Sequence, residues 1–380
     1  MRYDALVVGL GGMGSAVLAH CAARGLRVLG FERFAPAHAR GASHGRTRII
    51  RQAYFEGSAY VPLLRRAYTL WDALERETGR PLRATTGGLF VGMPGGSVVA
   101  GTLASARAHD LRHDVLDARE LRRCYPQLRP RADEIAIYEP AAGALFPERC
   151  VLAHLDVAQQ HGGEARFGAP VDDWDVPGPG RVAVAVRSER YEARALVVCA
   201  GAWFGRIVAG AGLPLRIERN VQYWFAPRAR AAVTPERLPI FALERDDLPA
   251  MLYGFPDFGD GVKCAFHHSG QMTDADALDR RVEASEADAM REALAGWLPG
   301  GTGPLRDAVA CTYTLTPDEH FIIGPHPGLP EVVLAGGFSG HGFKFCSVVG
   351  EIVADIVADG GTAHDIAQFA PSRFAGRFAS

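Results

Sequence analysis

The chain has 380 residues, of which 48% are hydrophobic and 22% charged, a composition typical of a soluble globular protein. A formal net charge of −2 provides no general attraction for nucleic acid or for an anionic membrane, and no apolar run reaches the ~18 residues of a membrane span. The length predicts about two domains. Seven dispersed cysteines without a CxxC pair predict no metal site and favour a cytoplasmic location.

The first thirty residues predict one strand–helix–strand unit. A strand over residues 3–9 runs into a glycine loop, a helix covers residues 15–24, and a second strand covers residues 26–31. A unit of this kind starts a parallel sheet flanked by helices.

The glycine loop carries a dinucleotide-binding pattern. Gly9, Gly11 and Gly14 have the spacing G-x-G-x-x-G, and Glu32 follows the second strand. These glycines allow a tight turn, close approach to a pyrophosphate and close helix–strand packing, while the acid can accept from ribose hydroxyls. The pattern fits NAD and FAD equally. A second strand that ends in small residues, 196–203, favours FAD because it allows another close backbone approach.

Further elements follow from apolar periodicity and from capping residues. Asp117 and Glu120 form a capping-box pattern. Residues 177–180 predict a hairpin turn. The predicted helices and strands are the helices 59–77, 283–298 and 346–358 and the strands 181–186, 195–199 and 331–335.

Two lysines, Lys263 and Lys344, stand against 39 arginines. Where any cation suffices, such a chain uses arginine, so a remaining lysine is a candidate for a role that needs a compact, deprotonable charge. The alternative is that both are ordinary surface lysines.

Three segments together indicate a family. They are Ser43-His-Gly-Arg-Thr-Arg48-Ile-Ile-Arg51-Gln-Ala-Tyr54, then Tyr253-Gly-Phe-Pro256 with Lys263 and His267, and finally Cys311-Thr-Tyr313-Thr with Asp318–Ile323 and Gly337–Lys344. In this order and spacing the chain resembles the monomeric sarcosine oxidase and N-methyltryptophan oxidase family, FAD-dependent amine oxidases of the D-amino-acid-oxidase-like superfamily. The resemblance implies oxidation of a secondary amine by hydride transfer to FAD, reoxidation by O2 to H2O2, and hydrolysis of the imine to amine and aldehyde.

The resemblance also implies roles for individual residues. Arg51 and Lys344 would bind the substrate carboxylate, and Cys311 would hold FAD through a thioether. Lys263 would assist O2, because a preorganised cation stabilises the negative charge that develops there. Catalytic roles are expected for Lys263, His267, Arg48 and Tyr313, substrate binding for Arg51, Lys344 and Tyr253, and cofactor binding for Gly9, Gly11, Gly14, Glu32, Ser43, His44, Arg48, Cys311, Gly340, His341, Gly342 and Lys344.

The expected fold is α/β, a Rossmann-type FAD-binding domain interleaved with a smaller α+β substrate domain on a mixed β-sheet. The FAD-binding domain would comprise residues 1–82, 146–214 and 318–380, and the substrate domain residues 83–145 and 215–317. The protein is expected to be a monomer whose partners are a small amino acid and O2.

Three alternatives remain open at this stage. Ala242 or Leu243 occupies a position that we expect to be larger in sarcosine oxidases, which leaves room for a bulkier N-alkyl amino acid or a cyclic imino acid of the proline or pipecolate type. An NAD-dependent dehydrogenase is the second alternative. A non-catalytic flavin-binding subunit is the third.

Overall fold

The computed structural model describes residues 3–268 and 270–374. In this part of the chain the strands are β1 (Tyr3–Val8), β2 (Val28–Phe31), β3 (Arg48–Ile50), β4 (Arg83–Thr85), β5 (Gly88–Gly92), β6 (Asp114–Asp117), β7 (Ile135–Glu139), β8 (Gly143–Leu145), β9 (Glu164–Arg166), β10 (Asp173–Gly178), β11 (Arg181–Val186), β12 (Glu189–Val198), β13 (Arg216–Phe225), β14 (Ile240–Leu243), β15 (Met251–Phe255), β16 (Val262–His267), β17 (Gln271–Thr273), β18 (Leu305–Leu315), β19 (Ile322–His326) and β20 (Leu329–Gly336).

The helices of the described residues are α1 (Gly12–Ala23), α2 (Val61–Thr78), α3 (Ser97–Ala108), α4 (Ala118–Cys124), α5 (Pro147–Gln160), α6 (Phe204–Ile207), α7 (Ala284–Ala295) and α8 (Cys346–Asp359). None of them is both long enough and apolar enough to cross a bilayer.

The first large sheet has a parallel centre that is buried on both faces. Its neighbouring strands β9, β2, β1, β12 and β20 run parallel, and β10, β11 and β19 extend it antiparallel. Helices α1, α2, α5 and α8 contribute to a single apolar core on one face. This arrangement is a Rossmann-type sheet, and it places the loop after β1 at the carboxyl end of the strands, where such sheets bind ligands.

The second large sheet is mixed and has nine strands in the order β17-β13-β16-β15-β14-β5-β7-β6, with β18 paired to β13. Strands β14 and β5 run parallel, while the other pairs are antiparallel. Its core includes residues of α7. The α/β fold class is therefore confirmed.

A third, small sheet has the strand order β3-β8-β4. Along the chain, its strands lie between strands of the first large sheet and strands of the second. It carries Arg48 at the start of β3. The predicted domain bounds stay a prediction, although the strands of each large sheet come from the chain segments that we expected. Residues 1–2 and 375–380 of the predicted FAD-binding segments lie outside the described residues.

The predicted elements are present, with shifts at their ends. Helix α1 begins at Gly12 rather than at residue 15, because Gly12 and Gly14 already belong to its first turn. Helix α7 ends at Ala295 rather than at 298, and a short 3-10 turn starts at Pro299. The Asp117–Glu120 capping box is formed, with both reciprocal hydrogen bonds.

Candidate active site

The glycine loop after β1 lines one end of a cavity of about 540 Å³. Gly9 has φ +87°, a left-handed conformation that favours glycine, and a Cβ there would lie 2.6 Å from the Cys199 carbonyl oxygen. A Cβ at Gly14 would lie 1.8 Å from the Gly9 carbonyl oxygen, so this glycine allows close packing and does not line the cavity. Gly11 lines the cavity and is the N-cap of α1.

Glu32 lies beside this loop, at the end of β2. Its carboxylate accepts hydrogen bonds from the backbone N–H of Leu10 and of Phe34, each at 2.9 Å, and it pairs with His38 at 3.2 Å. Burial alone would raise its pKa, but the hydrogen bonds from His38 and the two backbone groups lower it. The carboxylate therefore stays ionised, as an acceptor for ribose hydroxyls requires.

Cys311 and Arg48 line the other end of the same cavity. Arg48 Nη2 is 3.7 Å from Cys311 Sγ and donates to the Ala42 carbonyl at 2.8 Å, while Nη1 donates to Gln222 Oε1 at 3.1 Å. The thiol is 1% exposed. Beside it, the buried Thr312 hydroxyl has no hydrogen-bond partner among the described residues, so a polar acceptor for a ligand group is present at this end.

A glycine-rich turn separates the first cavity from a second one. Gly340 has φ +80°, and a Cβ there would lie 2.4 Å from the Tyr313 ring, so the backbone packs directly on that ring. Gly340 lines both cavities, and Gly342 and Ser43 line the first. His44 is buried but lines neither cavity. Burial and the charge of Arg48 lower its pKa to about 3, so it is neutral.

The second cavity, of about 70 Å³, brings together every residue for which substrate binding was predicted. Arg48 and Tyr313 line both cavities, so the two meet at these side chains. The lining residues are Arg48, Ile49, Arg51, Phe55, Glu56, Gln222, Ala242, Met251, Tyr253, His267, Tyr313, Gly340, His341, Phe343 and Lys344.

Arg51 is buried in this cavity and packs against aromatic rings. Its guanidinium carbon lies 4.2 Å from the Tyr54 ring centroid and 4.0 Å from that of Phe55. Nη1 donates to the Ala53 carbonyl at 2.8 Å, and Nη2 forms an ion pair with Glu56. Burial would raise the pKa of Glu56, but Arg51 opposes this and the pKa is lowered. Arg51 thus binds the Glu56 carboxylate in this structure, and its role in binding a substrate carboxylate stays a prediction.

Lys344 contributes a second buried cation. Its ammonium donates to the His341 carbonyl at 2.7 Å and to the Tyr54 hydroxyl at 3.3 Å. Burial and the neighbouring Arg51 lower its pKa to about 7. The lysine can therefore change its charge near neutral pH, whereas the arginine beside it stays charged.

The histidine and tyrosine side chains of this lining are neutral. His267 Nδ1 lies 3.3 Å from the Tyr313 hydroxyl, and burial holds the pKa of His267 well below its ordinary value. Burial also lowers the pKa of His341 to about 4 and raises the pKa values of Tyr253 and Tyr313. These groups can orient an amine by hydrogen bonding without adding charge.

Lys263 lies on β16 and lines neither cavity. Its ammonium donates to the carbonyls of Gly45 and Thr47 at 2.7 and 2.6 Å, and it lies 5.3 Å from the Trp224 ring centroid and 4.9 Å from that of Phe255. At 2% exposure its side chain points inward, so it is not an ordinary surface lysine.

Sequence reasoning missed three residues of the site. Glu56 pairs with Arg51, Tyr54 bonds both to Lys344 and to His341, and Gln222 bonds to Arg48. Tyr54 is the last residue of the Ser43–Tyr54 segment that carries the family resemblance, so the sequence does contain a signal for it. Gln222 comes from β13, far away in the chain, and nothing in its local sequence marks it.

The residues of the first cavity fit FAD. The glycine loop and Glu32 suit a pyrophosphate and a ribose at one end, and a thiol, a guanidinium and an unpartnered hydroxyl meet at the other. The cavity thus extends from a dinucleotide-type loop to the small cavity that contains the two cations.

Comparisons with known proteins agree with this geometry. Residues 4–356 match the FAD dependent oxidoreductase family. The chain is 47% identical over 378 residues to the monomeric sarcosine oxidase of Streptomyces avermitilis, covering 98% of both chains. It is 35% identical over 381 residues to the N-methyl-L-tryptophan oxidase of Escherichia coli, covering 98% of this chain and 100% of the relative.

Solved structures support the fold. NikD, an unusual amino acid oxidase essential for nikkomycin biosynthesis, superposes with a TM-score of 0.84 at 24% identity, covering 97% of both chains. The L-proline dehydrogenase from P. horikoshii gives 0.85 at 20% identity, covering 98% of both. At these identities the likeness shows the fold alone. The extent of the family and relative matches shows that the chain belongs to the FAD dependent oxidoreductase family, in the group that contains monomeric sarcosine oxidase and N-methyl-L-tryptophan oxidase.

Proposed function

We propose that the protein is an oxidase of N-methyl or other N-alkyl amino acids that uses FAD and O2 and produces H2O2. The observation that carries this proposal is the second cavity, where two buried cations, Arg51 and Lys344, meet neutral imidazole and phenol groups beside the Arg48–Cys311 end of the first cavity. A substrate with a carboxylate for the two cations and a neutral amine for the imidazole and phenol groups would fit this cavity, with its reacting C–H bond beside the first cavity.

The cation pair determines how the substrate binds. We expect the substrate carboxylate to replace Glu56 on Arg51, because Glu56 is held by Nη2 alone and a guanidinium fork can bind a carboxylate through two parallel hydrogen bonds. Lys344 binds the same carboxylate when protonated. The pairing fixes the amine next to His267 and Tyr313, and holding the reacting groups in this orientation supplies a large part of the acceleration.

When bound, FAD would supply the two-electron acceptor for the hydride equivalent and the reductant for O2. The residues around it keep the amine neutral, because the lining histidines have lowered pKa values and add no positive charge. When protonated, Lys263 would supply positive charge near Arg48 that stabilises the negative charge developed in the reduction of O2. The imine product is hydrolysed by water to an amine and an aldehyde.

We also propose that FAD is attached covalently to Cys311. Cys311 lines the first cavity, and the Arg48 guanidinium lies 3.7 Å from its Sγ. Formation of the thioether at the flavin 8-methyl carbon removes the thiol proton and one methyl hydrogen, and O2 accepts the two electrons that are released.

A monomeric, cytoplasmic enzyme remains part of the proposal. The name of the Streptomyces relative supports the monomer, and the seven free cysteines favour a reducing compartment.

The small side chain of Ala242 supports a broad substrate range. It lies in β14 and lines the second cavity, while Leu243 does not. A methyl group at this position leaves space for a substituent larger than the methyl of sarcosine. A cyclic imino acid oxidase is therefore the second candidate, because a ring uses the same space.

A peroxidase-coupled screen tests the function. We expect H2O2 from sarcosine, bulkier N-methyl amino acids or cyclic imino acids, and none from amines that lack a carboxylate, because Arg51 and Lys344 hold that group. The Arg51→Met variant should raise KM by roughly 10²-fold, the loss expected for a charge-assisted pair. A purified yellow protein that forms no peroxide with any of these compounds would disprove the proposal.

Carboxylate binding should depend on the charge of Lys344. Because the pKa of this lysine is about 7, it is protonated below pH 7 and loses its charge above it. Binding of methoxyacetate, monitored by the flavin absorption spectrum, should weaken up to about tenfold per pH unit above the pKa of Lys344.

The matched variant for this experiment is Lys344→Met. It should bind weakly, with a dissociation constant that stays constant between pH 6 and 9, since His267 and His341 remain neutral in that range. A pH dependence that survives in the variant would assign the titration to another group.

Acid precipitation tests the covalent link. The yellow colour should remain in the precipitated wild-type polypeptide and move to the supernatant in Cys311→Ser, because the serine hydroxyl is a poor nucleophile. Cys346→Ser is the matched control, since Cys346 also lines the first cavity, and its colour should stay in the precipitate. Free FAD in the wild-type supernatant would contradict the link.

Lys263→Met should separate the two half-reactions. Stopped-flow mixing of the reduced protein with O2 should show reoxidation slowed by about 10²-fold or more, the size expected when a preorganised charge is lost. Anaerobic reduction by substrate should change little, because Lys263 does not line the second cavity. Equal losses in both steps would show that the lysine has only a structural role.

A further inference from the structure

The turn over residues 45–47 has a backbone conformation that external contacts must maintain. Gly45 has φ +94° and Arg46 has φ +67°, both left-handed, and the Thr47 N–H donates to the Gly45 carbonyl at 2.7 Å. A Cβ at Gly45 would lie 2.2 Å from Gln222 Oε1. Left-handed backbone at a residue such as Arg46 is strained, so the surrounding contacts determine this shape.

Two charged side chains hold the turn from opposite sides. Glu148, in the first turn of α5, accepts hydrogen bonds through Oε1 from the N–H of Gly45 at 2.7 Å and of Arg46 at 3.1 Å. Lys263 donates to the carbonyls of Gly45 and Thr47. The peptide groups of the turn therefore lie between a carboxylate and an ammonium. Each charge polarises these peptide groups, so that they bind the opposite charge more strongly.

Lys263 forms no direct ion pair with any described residue. Burial and the charge of Arg48 hold its pKa well below the ordinary value, and Arg46 lowers it further. The groups that oppose this decrease are Glu148 and Cys311. His44, whose own pKa Lys263 lowers, and the rings of Trp224 and Phe255 complete the surroundings of the ammonium.

We propose that Glu148 is a positioning residue for Lys263. It fixes the turn whose carbonyls bind the ammonium, and its negative charge favours the protonated form of that lysine. The consequence for O2 reduction rests on the proposed role of Lys263, whereas the effect on the lysine itself does not.

The sign of the pH effect follows from the charge. Reduction of O2 is assisted when Lys263 is protonated, so reoxidation should be fast at low pH and should slow as the pH rises through the pKa of this lysine. Because Glu148 raises that pKa, it extends the fast range to higher pH. Without the carboxylate the slowing should begin at a lower pH.

The two-lysine composition allows a direct test in the intact flavoprotein. Labelling with [13Cε]lysine gives two side-chain signals, Lys263 and Lys344, and Lys263→Met identifies them by the loss of one. In Glu148→Gln the Lys263 signal should titrate about one pH unit lower, the shift that removal of one nearby charge produces. The Lys344 signal should not move, so it serves as an internal standard.

Glu75→Gln is the matched control. Glu75 also accepts two consecutive backbone N–H groups, those of Leu82 and Arg83 at 2.7 and 3.1 Å, but it contacts no residue of the turn. Its replacement should leave both lysine titrations unchanged. Glu148→Asp, which keeps the charge, should restore most of the Lys263 titration and provides a second variant if the glutamine protein does not accumulate.

The rate of reoxidation is the second readout. The Glu148→Gln profile against pH should move to lower pH together with the lysine titration, while anaerobic reduction stays unchanged. An unmoved lysine titration in Glu148→Gln, or a lysine already neutral in the wild type from pH 5 upward, would overturn the inference. If the titration moves but Lys263→Met reoxidises normally, the inference stands for the lysine and the proposed role in O2 reduction fails.

Discussion

The whole site depends on carboxylates that accept hydrogen bonds from consecutive backbone N–H groups. Glu148 binds residues 45 and 46, and Glu139 binds the N–H groups of Gln52 and Ala53 at 2.8 and 3.1 Å. These two anchors flank β3, which carries Arg48, and Arg51 follows it directly. Residues 45–47 and 51–53 lie outside the strands and have no ladder partners for their N–H groups, and a carboxylate satisfies two of these groups at once. The arginines are thereby fixed in position before a ligand binds.

The buried cations of the site lie mostly among carbonyls and aromatic rings. Glu56 pairs with Arg51, while Lys344 and Lys263 have backbone carbonyls as partners. Guanidinium groups remain charged in such surroundings, but the pKa values of both lysines fall. This difference is the physical basis for the prediction that a chain so rich in arginine needs a compact, adjustable charge at these two places.

Much of the architecture could be predicted from local patterns. The glycine spacing and Glu32 predicted the dinucleotide loop, and the capping box at Asp117 and the end of α2 at Gly79 follow from single residues whose local chemistry is strong. The start of α1 could not be predicted in this way, because its glycines are poor helix formers and the close packing of Gly14 on Gly9 determines that start. The predicted substrate-binding residues came from the family resemblance rather than from periodicity.

The sequence by itself determined the α/β class and the nucleotide loop, since these depend on residue type and on neighbours in the chain. Only the tertiary structure decided the partners: Glu56 for Arg51, Tyr54 for Lys344 and Glu148 for the turn beside Lys263. Long-range packing brings these groups together, and no local sequence pattern encodes that packing. Burial then strengthens their electrostatic interactions and hydrogen bonds. For the two lysines, composition identified them as candidates, and only the fold shows how their surroundings differ.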